Sequence, residues 1–333
     1  MAKDVHIVTH TDLDGIASAA VYLRLLSKSS AHGEADVTFA EPYNLHKVLS
    51  TLGQVRRLAI MDLGPNADTV NNILRELSRL RSTAESLEWY DHHKWEDSWL
   101  SSARSVGVRV YIEGDTCAAG VVARRAAEVL GVKPDEHIER LVRATCAADL
   151  WVWDDPLAPR LYRVVDRYRG PQGDMWRRHL LEKFSQGELW WGELDEALHE
   201  YLKLELENAS RSLRTVIVDA VRSCRIAVVL KPRGPPSASI LGGMLINRFG
   251  ADVAVVVKTS GNGLSLRSRT VNVRKIAYTL GGGGHPRAAG APLNMPLLFR
   301  IASMFWPKIR ARYAARKVKE AITKLGSCPR LEE

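Results

Sequence analysis

Short β-like runs alternate with helical runs through residues 1–130, and this alternation restricts the fold more than any other feature of the chain. DVHIVTH (4–10) precedes GIASAAVYLRLLSKS, and RRLAIMDLG (56–64) precedes an amphipathic stretch that ends at Arg81. SLEWYDHH and VGVRVYIEG follow, and the next helix is predicted to open at Asp115–Thr116, where either residue could cap it. Such alternation is typical of a mostly parallel sheet with helices on both faces, so we predict an α/β fold.

The remaining sequence predicts two segments of different character. Residues 134–222 have a mostly helical pattern, whereas residues 223–333 combine strand patterns, a hairpin about Ser260–Gly263 and a basic helix at roughly 296–324. We therefore predict an α/β domain at 1–150, a helical connector at 151–222 and a smaller mixed α/β domain at 223–333.

Charge is distributed unevenly along the chain, whose net charge is +9. Residues 1–115 carry 12 basic and 16 acidic side chains, whereas residues 223–333 carry 19 basic and 4 acidic ones. The first segment therefore suits cations and the last suits a polyanion such as nucleic acid. In the terminal run PKIRARYAARKVKEAITKL, the basic residues either follow a nucleic-acid backbone or form the solvated face of an amphipathic helix.

Nothing in the sequence suggests a membrane span, a secretory signal or a disulfide framework. No apolar run approaches the roughly 20 residues of a transmembrane helix, and the opening MAKDVHIVTH lacks a signal-peptide pattern. The four cysteines, Cys117, Cys146, Cys224 and Cys328, are scattered and form no CxxC pair. We therefore expect reduced thiols and a cytoplasmic location.

Acidic and imidazole side chains follow three of the predicted strands. They are His10, Asp12 and Asp14 in HTDLDG, Asp62 in MDLG, and Asp91, His92 and His93 in YDHH. Ligands gather at the carboxyl ends of parallel strands, so we expect these residues to converge where cations offset their charge. Mixed carboxylate and imidazole ligation favours Mn²⁺, with Mg²⁺ or Co²⁺ as alternatives, and several acids suggest two ions about 3.5–4 Å apart. Taken singly, each motif could instead be a helix cap or surface decoration.

A glycine-rich segment near the end of the chain is the second strong pattern. In GGGGHPRAAG (281–290), glycines leave backbone N–H groups uncovered for an oxyanion, and His285 and Arg287 add side-chain donors. The phosphate-binding candidates are Gly282, Gly283, Gly284, His285 and Arg287, joined by Arg267 and Ser268 in the upstream SLRSR. The alternative is a glycine C-cap followed by a flexible loop.

In combination, HTDLDG, MDLG, YDHH, a later Asp, SLRS and GGGGHPRAAG resemble the motifs of the DHH–DHHA1 phosphoesterases over nearly the whole chain. The resemblance implies a DHH metal-binding catalytic domain at 1–150 and a DHHA1 substrate-binding domain at 223–333. The dinuclear Mn²⁺ site that it implies consists of Asp12, Asp14, Asp62, Asp91, His92 and Asp149. His10 would be a further ligand or lie against one. Spacing favours Asp149 as the last acid, although CAADLWVWDDP also contains Asp154 and Asp155.

The same resemblance implies roles in catalysis and substrate binding. Asp91 would be an acid shared by the metals, and His93 would face the scissile phosphate. His285 would bind a substrate phosphate, while Arg267 and Ser268 would contact the substrate.

The implied function is metal-dependent hydrolysis of single-stranded DNA or RNA to mononucleotides, with a lean toward the 3′→5′ direction. Other readings are a phosphodiesterase of cyclic dinucleotides or nanoRNA, a pyrophosphatase or exopolyphosphatase, and a non-catalytic Cdc45-like replication factor. The expected partner is single-stranded nucleic acid or short oligonucleotides. No association with a membrane is expected. Family analogy adds a helicase, replisome or repair protein.

Overall fold

Residues 4–30, 33–168 and 170–331 are described by the computed structural model. The chain divides into two units, Met1–Leu198 and His199–Glu333, so residues 151–198 of the predicted connector belong to the first unit. Across the described ranges, no helix is both long enough and apolar enough to cross a membrane.

Five parallel strands form the sheet of the first unit. They are β1 (Val5–Thr9), β2 (Ala35–Phe39), β3 (Arg57–Met61), β4 (Ser86–Asp91) and β5 (Val108–Ile112). Their order is β2-β1-β3-β4-β5, with parallel pairing throughout. Successive side chains of a strand point to opposite faces. Ile7 therefore enters one hydrophobic cluster and Val8 the other, which confirms the predicted two-sided sheet.

Helices cover both faces of this sheet. In chain order they are α1 (Leu13–Lys28), α2 (Leu45–Thr51), α3 (Val70–Arg81), α4 (Asp97–Ser105), α5 (Ala118–Leu130), α6 (Glu136–Asp149), α7 (Ala158–Val165) and α8 (Gly170–Gln186). The next helix, α9 (Gly192–Leu213), begins in the first unit and ends in the second. Side chains of α2, α3 and α4 fill one cluster, and those of α1 and α5 to α8 fill the other. The helical pattern predicted after residue 134 thus extends one of these two layers.

The second unit is built on a six-stranded mixed sheet. Its strands are β6 (Ile217–Val221), β7 (Cys224–Leu230), β8 (Val253–Val257), β9 (Gly263–Arg267), β10 (Gly283–Gly284) and β11 (Ala288–Pro292). The order is β10-β11-β9-β8-β7-β6, where β7 and β8 run parallel and the other neighbours run antiparallel. The predicted hairpin is β8–β9, and the predicted mixed α/β fold is confirmed.

Four helices accompany this second sheet: α10 (Ala238–Phe249), α11 (Val273–Thr279), α12 (Leu297–Phe305) and α13 (Lys308–Lys324). α10 packs into one hydrophobic cluster, and α11 and α13 pack into the other. The sheet is therefore covered on both faces, like that of the first unit.

The basic helix predicted at 296–324 is divided in the structure. Pro307 separates α12 from α13, because proline lacks an N–H and its ring does not fit a helix interior. α13 buries a face that includes Val318, and Lys319 Nζ lies 2.7 Å from Asp219 Oδ2. Its basic residues are thus partly neutralised within the unit.

All four cysteines form disulfide bonds, so the expectation of reduced thiols is wrong for this structure. Cys117 pairs with Cys146 between α5 and α6, and Cys224 pairs with Cys328 between β7 and the segment after α13. The partners are 29 and 104 residues apart and meet only through tertiary packing, which their spacing does not reveal. Because reduced thiols were its premise, the cysteines no longer support a cytoplasmic location.

Replacing both Cys224 and Cys328 with serine should lower the free energy of unfolding by about 2–5 kcal/mol, because the bond restrains a long loop in the unfolded chain. Denaturant titration without reductant measures the change. As a direct control, the denatured parent should take up no thiol-alkylating label until it is reduced. Uptake of label before reduction would contradict the pairing.

Candidate functional site

The predicted metal motifs meet at the carboxyl edge of the first sheet. β1, β3 and β4 are neighbours, and Asp12, Asp62 and Asp91 lie at their carboxyl ends. Asp12 caps α1, where its Oδ1 accepts from the Gly15 N–H at 3.1 Å. Asp62 has a φ of 56°, a left-handed conformation that Asp adopts more readily than most residues. Its N–H donates to the Tyr90 carbonyl oxygen at 3.0 Å, which anchors the turn to β4.

Among the described residues, three overlapping groups each place their ligand atoms within 4.8 Å of one another: Asp62, His92 and His93; His10, Asp12 and Asp62; and Asp14, His92 and Asp149. His92 Nε2 lies 3.6 Å from Asp62 Oδ1. The same nitrogen lies 3.7 Å from Asp14 Oδ2 and 3.5 Å from Asp149 Oδ2. Because Asp62 and His92 are each shared by two groups, the seven side chains form one cluster, hereafter the edge cluster.

The edge cluster combines two buried carboxylates with two more exposed ones, Asp12 and Asp149. Asp14 and Asp62 are 1% and 2% exposed. Burial, together with the charges of Asp62 and Asp149, raises the pKa of Asp14 well above its ordinary value. Desolvation likewise raises the pKa of Asp149 to about 7. Within the described part of the chain, the buried Oδ2 of Asp62 has no hydrogen-bond partner. Divalent cations relieve both the repulsion and the missing bond, so the donor set fits them.

The N-terminus of α5 holds Asp14 in the edge cluster. The N–H groups of Ala118 and Ala119 donate to its two carboxylate oxygens at 2.7 and 2.8 Å. The N-cap residue of α5 is Cys117, so the expected cap at Asp115–Thr116 is wrong. The helix needs no local side-chain cap, because a carboxylate from α1 satisfies its first amides and benefits from the helix dipole.

Asp91 lies beside the edge cluster but outside the three groups. Its Oδ1 accepts from His93 Nδ1 at 2.7 Å and from the His92 N–H at 2.9 Å, and its Oδ2 accepts from Trp95 Nε1 at 2.7 Å. Burial opposes ionisation of this pair, but their mutual attraction lowers the pKa of Asp91 to about 2 and raises that of His93 to about 9. Gly64 leaves room for the ring, since a Cβ there would lie 3.0 Å from His93 Cβ. The ligand role of Asp91 stays a prediction.

The structure separates the three candidates for the last acid. Asp149 ends α6 and shares a group with Asp14 and His92. Asp155 Oδ1 accepts from the Leu157 N–H at 2.8 Å, in the turn before α7. Asp154 belongs to none of the three groups that the described residues form. The geometry therefore favours Asp149, as spacing did.

In the second unit, the glycine-rich segment forms a tight hairpin between β10 and β11. The His285 N–H donates to the Ala288 carbonyl oxygen at 2.9 Å, and the Ala288 N–H donates back at 3.2 Å. His285 and Arg287 are exposed in this turn. Gly282 is required by close approach, because a Cβ there would overlap the Gly290 carbonyl oxygen.

Some of the glycine N–H groups are already used within the chain. The N–H groups of Gly281 and Gly282 donate to the carbonyl oxygens of Tyr278 and Ala277, at 3.0 and 2.8 Å. Gly283–Gly284 pairs with β11 as strand β10. The segment thus combines the C-terminal turn of α11, which the C-cap alternative predicts, with a hairpin that exposes the side chains of His285 and Arg287.

Arg267 and Ser268 sit at the carboxyl end of β9 with different exposure. Arg267 is partly buried, and its Nη2 donates to Ser239 Oγ at 2.9 Å. Ser268 is fully buried. Its Oγ donates to the Asp252 carbonyl oxygen at 2.5 Å and accepts from the Val271 N–H at 2.8 Å. Ser268 therefore shapes the turn, and its predicted contact with a substrate stays a prediction.

Two neighbours of the edge cluster were missed by the sequence reasoning. Trp95 donates to Asp91, and no pattern in YDHHKW indicates that bond. Glu41 follows β2 and lies 3.3 Å from His10, measured from Oε2 to Nε2. The rule that located the other acids, a carboxylate just beyond a parallel strand, would have found Glu41 too.

Comparison with known proteins identifies a domain and a fold. Residues 232–300 match the DHHA1 domain family model. No curated protein matches the sequence. The fold is similar to RecJ from Thermus thermophilus, solved in complex with Mn²⁺, with a TM-score of 0.62 and 18% identity. That match covers 95% of this chain and 52% of the RecJ chain, so this chain spans about half of that protein.

Two further solved structures align with this chain over nearly their full length. The pGpG-specific phosphodiesterase PggH from Vibrio cholerae aligns with a TM-score of 0.56 and 14% identity, over 92% of this chain and 99% of that one. CDC45 from Entamoeba histolytica aligns with a TM-score of 0.56 and 8% identity, over 94% and 95% of the two chains. At these identities the likeness shows the fold.

Metal binding should release protons and should strengthen as the pH rises. Burial opposes protonation of His92, but the carboxylates of Asp62, Asp14 and Asp149 raise its pKa to about 10. Below that pH the imidazole carries a proton that a coordinated metal must displace, so the Mn²⁺ affinity should rise by about tenfold per pH unit for each proton released. Calorimetric titration in two buffers of different ionisation enthalpy measures the release. Equal heats in both buffers would refute it.

Asp149→Asn should weaken Mn²⁺ binding by more than about 100-fold, the upper range for losing a mere outer-shell partner. Asp154→Asn makes the same change of charge five residues away, on an exposed side chain outside the edge cluster, and should bind like the parent. Calorimetry compares the two variants. Equal weakening in both, or in neither, would exclude the assignment of Asp149.

Proposed function

We propose that this chain is a member of the DHH–DHHA1 phosphoesterase family and a metal-dependent phosphodiesterase that hydrolyses single-stranded DNA or RNA to mononucleotides. The observation that carries the proposal is the edge cluster, where buried carboxylates and imidazoles converge at the end of a parallel sheet. Hydrolysis would take place in the domain predicted at 1–150, and the domain predicted at 223–333 would bind the substrate.

The proposed metal ligands are His10, Asp12, Asp14, Asp62, His92 and Asp149, with Asp91 as the further ligand that the YDHH motif implies. Two divalent cations bound there would supply Lewis-acid charge and a water activated near neutral pH for in-line attack at phosphorus. Mn²⁺ is proposed because the donor set mixes carboxylates with imidazoles, and Mg²⁺ and Co²⁺ are the alternatives. The similar RecJ was solved with Mn²⁺.

His93 is proposed to stabilise charge on the phosphoryl oxygens. Its pKa of about 9, which Asp91 raises against the effect of burial, leaves the ring protonated at neutral pH. Asp91 holds Nδ1, so the ring orientation is fixed before substrate arrives. With 34% of its side chain exposed, His93 is the accessible cation of its group in the edge cluster.

Substrate binding is proposed to use the arginine and histidine side chains at one end of the second sheet. Arg267 on β9 pairs with Ala288 on β11, and the backbone of Ala288 bonds to His285 across the hairpin turn. Arg267, His285 and Arg287 therefore lie at the same end of the second sheet. Residues 253–319 contain 13 basic side chains and no acidic ones, a charge pattern suited to a polyanionic backbone. Ser268 is proposed to act through the turn that it holds.

A second candidate is hydrolysis of cyclic dinucleotides or very short oligonucleotides. The likeness to PggH favours it, because that match spans 99% of the PggH chain whereas the RecJ match spans 52% of that chain. The edge cluster would act equally on either substrate. The preference between long and short or cyclic substrates would therefore depend on how the second unit binds them.

With Mn²⁺, the protein should shorten single strands, and the products of end-labelled oligomers reveal direction and length. If degradation runs 3′→5′, a 5′-labelled strand gives a ladder and a 3′-labelled strand releases labelled mononucleotide at once. DNA and RNA oligomers of about 20 nucleotides are compared with two- to five-mers and a cyclic dinucleotide. Cleavage confined to the short or cyclic substrates would select the second candidate.

His92→Ala should abolish this turnover while its circular dichroism matches that of the parent. His179→Ala is a matched control, because His179 lies on α8 and pairs with Glu193 rather than with the edge cluster. Turnover retained in His92→Ala, or absence of any phosphodiester hydrolysis by the parent with each of the three metals, would refute the proposal.

A further inference from the structure

A carboxylate outside all the sequence motifs holds the segment that carries the first metal ligands. Glu41 lies just beyond β2, the neighbour of β1 in the sheet. Its Oε1 accepts from Thr11 Oγ1 at 2.6 Å, and its Oε2 lies 3.3 Å from His10 Nε2. One side chain thus contacts two successive residues of HTDLDG.

The backbone of Glu41 is itself fixed. Its N–H donates to Asn44 Oδ1 at 2.8 Å, and its carbonyl oxygen accepts from the N–H groups of Asn44 and Leu45 at 3.0 Å each, at the start of α2. From the other side, Arg177 Nε on α8 donates to the Thr11 carbonyl oxygen at 2.8 Å. The segment is therefore gripped between α2 and α8.

The two ring nitrogens of His10 face different carboxylates. Nε2 faces Glu41, whereas Nδ1 lies 3.1 Å from Asp12 Oδ2 and 3.4 Å from Asp62 Oδ2. A neutral imidazole has one N–H and one lone pair. Carboxylates thus face both nitrogens, and only a cation held by Asp12 and Asp62 would require the lone pair of Nδ1. The hydrogen would then be on Nε2, where Glu41 accepts it.

We propose that Glu41 is a positioning residue that fixes the tautomer and the ring orientation of His10, so that Nδ1 serves as a metal ligand. The inference rests on the proposed metal site and adds to it the residue that prepares one ligand. Outer-shell carboxylates of this kind orient a ligating histidine and increase its basicity. Glu41 acts through His10 because both its oxygens face Thr11 and His10 and it belongs to none of the three groups of the described residues.

Glu41→Ala should weaken Mn²⁺ binding by about 10–100-fold, as measured by calorimetry. Glu41→Gln keeps the shape but removes the charge that faces His10, and it should weaken binding by a smaller factor. Thr11→Val removes only the other bond of Glu41 and should change the affinity by less than Glu41→Ala does. Should Glu41→Ala fail to fold, Glu41→Gln binding as tightly as the parent would overturn the proposal.

A double-mutant cycle separates positioning from the simple loss of a negative charge. In a His10→Ala background, Glu41→Ala should have almost no further effect on Mn²⁺ affinity, because its target is already gone. An equal loss in both backgrounds would show a general electrostatic effect and overturn the proposal. A parent that binds no Mn²⁺ would instead defeat the proposed function, whereas a parent that binds and a Glu41→Ala variant that binds equally well would defeat this inference alone.

Discussion

The structure of the first unit depends on offsetting the repulsion between acidic side chains at the carboxyl edge of its parallel sheet. Strands β1, β3 and β4 lie side by side, so the acids that follow them converge, and burial strengthens their repulsion. Backbone amides at the N-terminus of α5 offset the charge of Asp14, and the indole of Trp95 and the imidazole of His93 offset that of Asp91. Helix placement and loop composition around the edge cluster therefore serve one electrostatic purpose.

The Cys117–Cys146 bond belongs to the same support. Cys117 directly precedes the two amides that hold Asp14, and Cys146 lies three residues before Asp149 on α6. Residues three apart lie on neighbouring parts of a helix surface, so the bond fixes α5 beside the turn of α6 that carries Asp149. The disulfide bond thus links the helix end that holds Asp14 to the helix that carries Asp149.

The sequence predicted what depends on chain order and missed what depends on three-dimensional packing. Acids such as Asp62 were located because a parallel sheet gathers the carboxyl ends of its strands, a property of topology alone. Spacing favoured Asp149 over Asp154, and the position where α6 ends adds a geometric reason for the same preference. The disulfides remained hidden, since helix and strand packing brings their cysteines together. Cys117 replaced the expected cap of α5 because a distant carboxylate satisfies that helix end.

The structure of the second unit bears on the glycine nest that the sequence predicts at residues 281–290. A glycine nest would bind an oxyanion through fixed backbone N–H groups, which imposes a strict geometry. The amides of Gly281 and Gly282 are engaged within the chain, and the side chains of His285 and Arg287 are exposed at the hairpin. An arginine side chain on its flexible stem tolerates more variation in the ligand and binds through charge that salt screens. The proposed substrate is a polynucleotide, whose phosphates repeat while its bases vary, and contacts through charge would suit such a ligand.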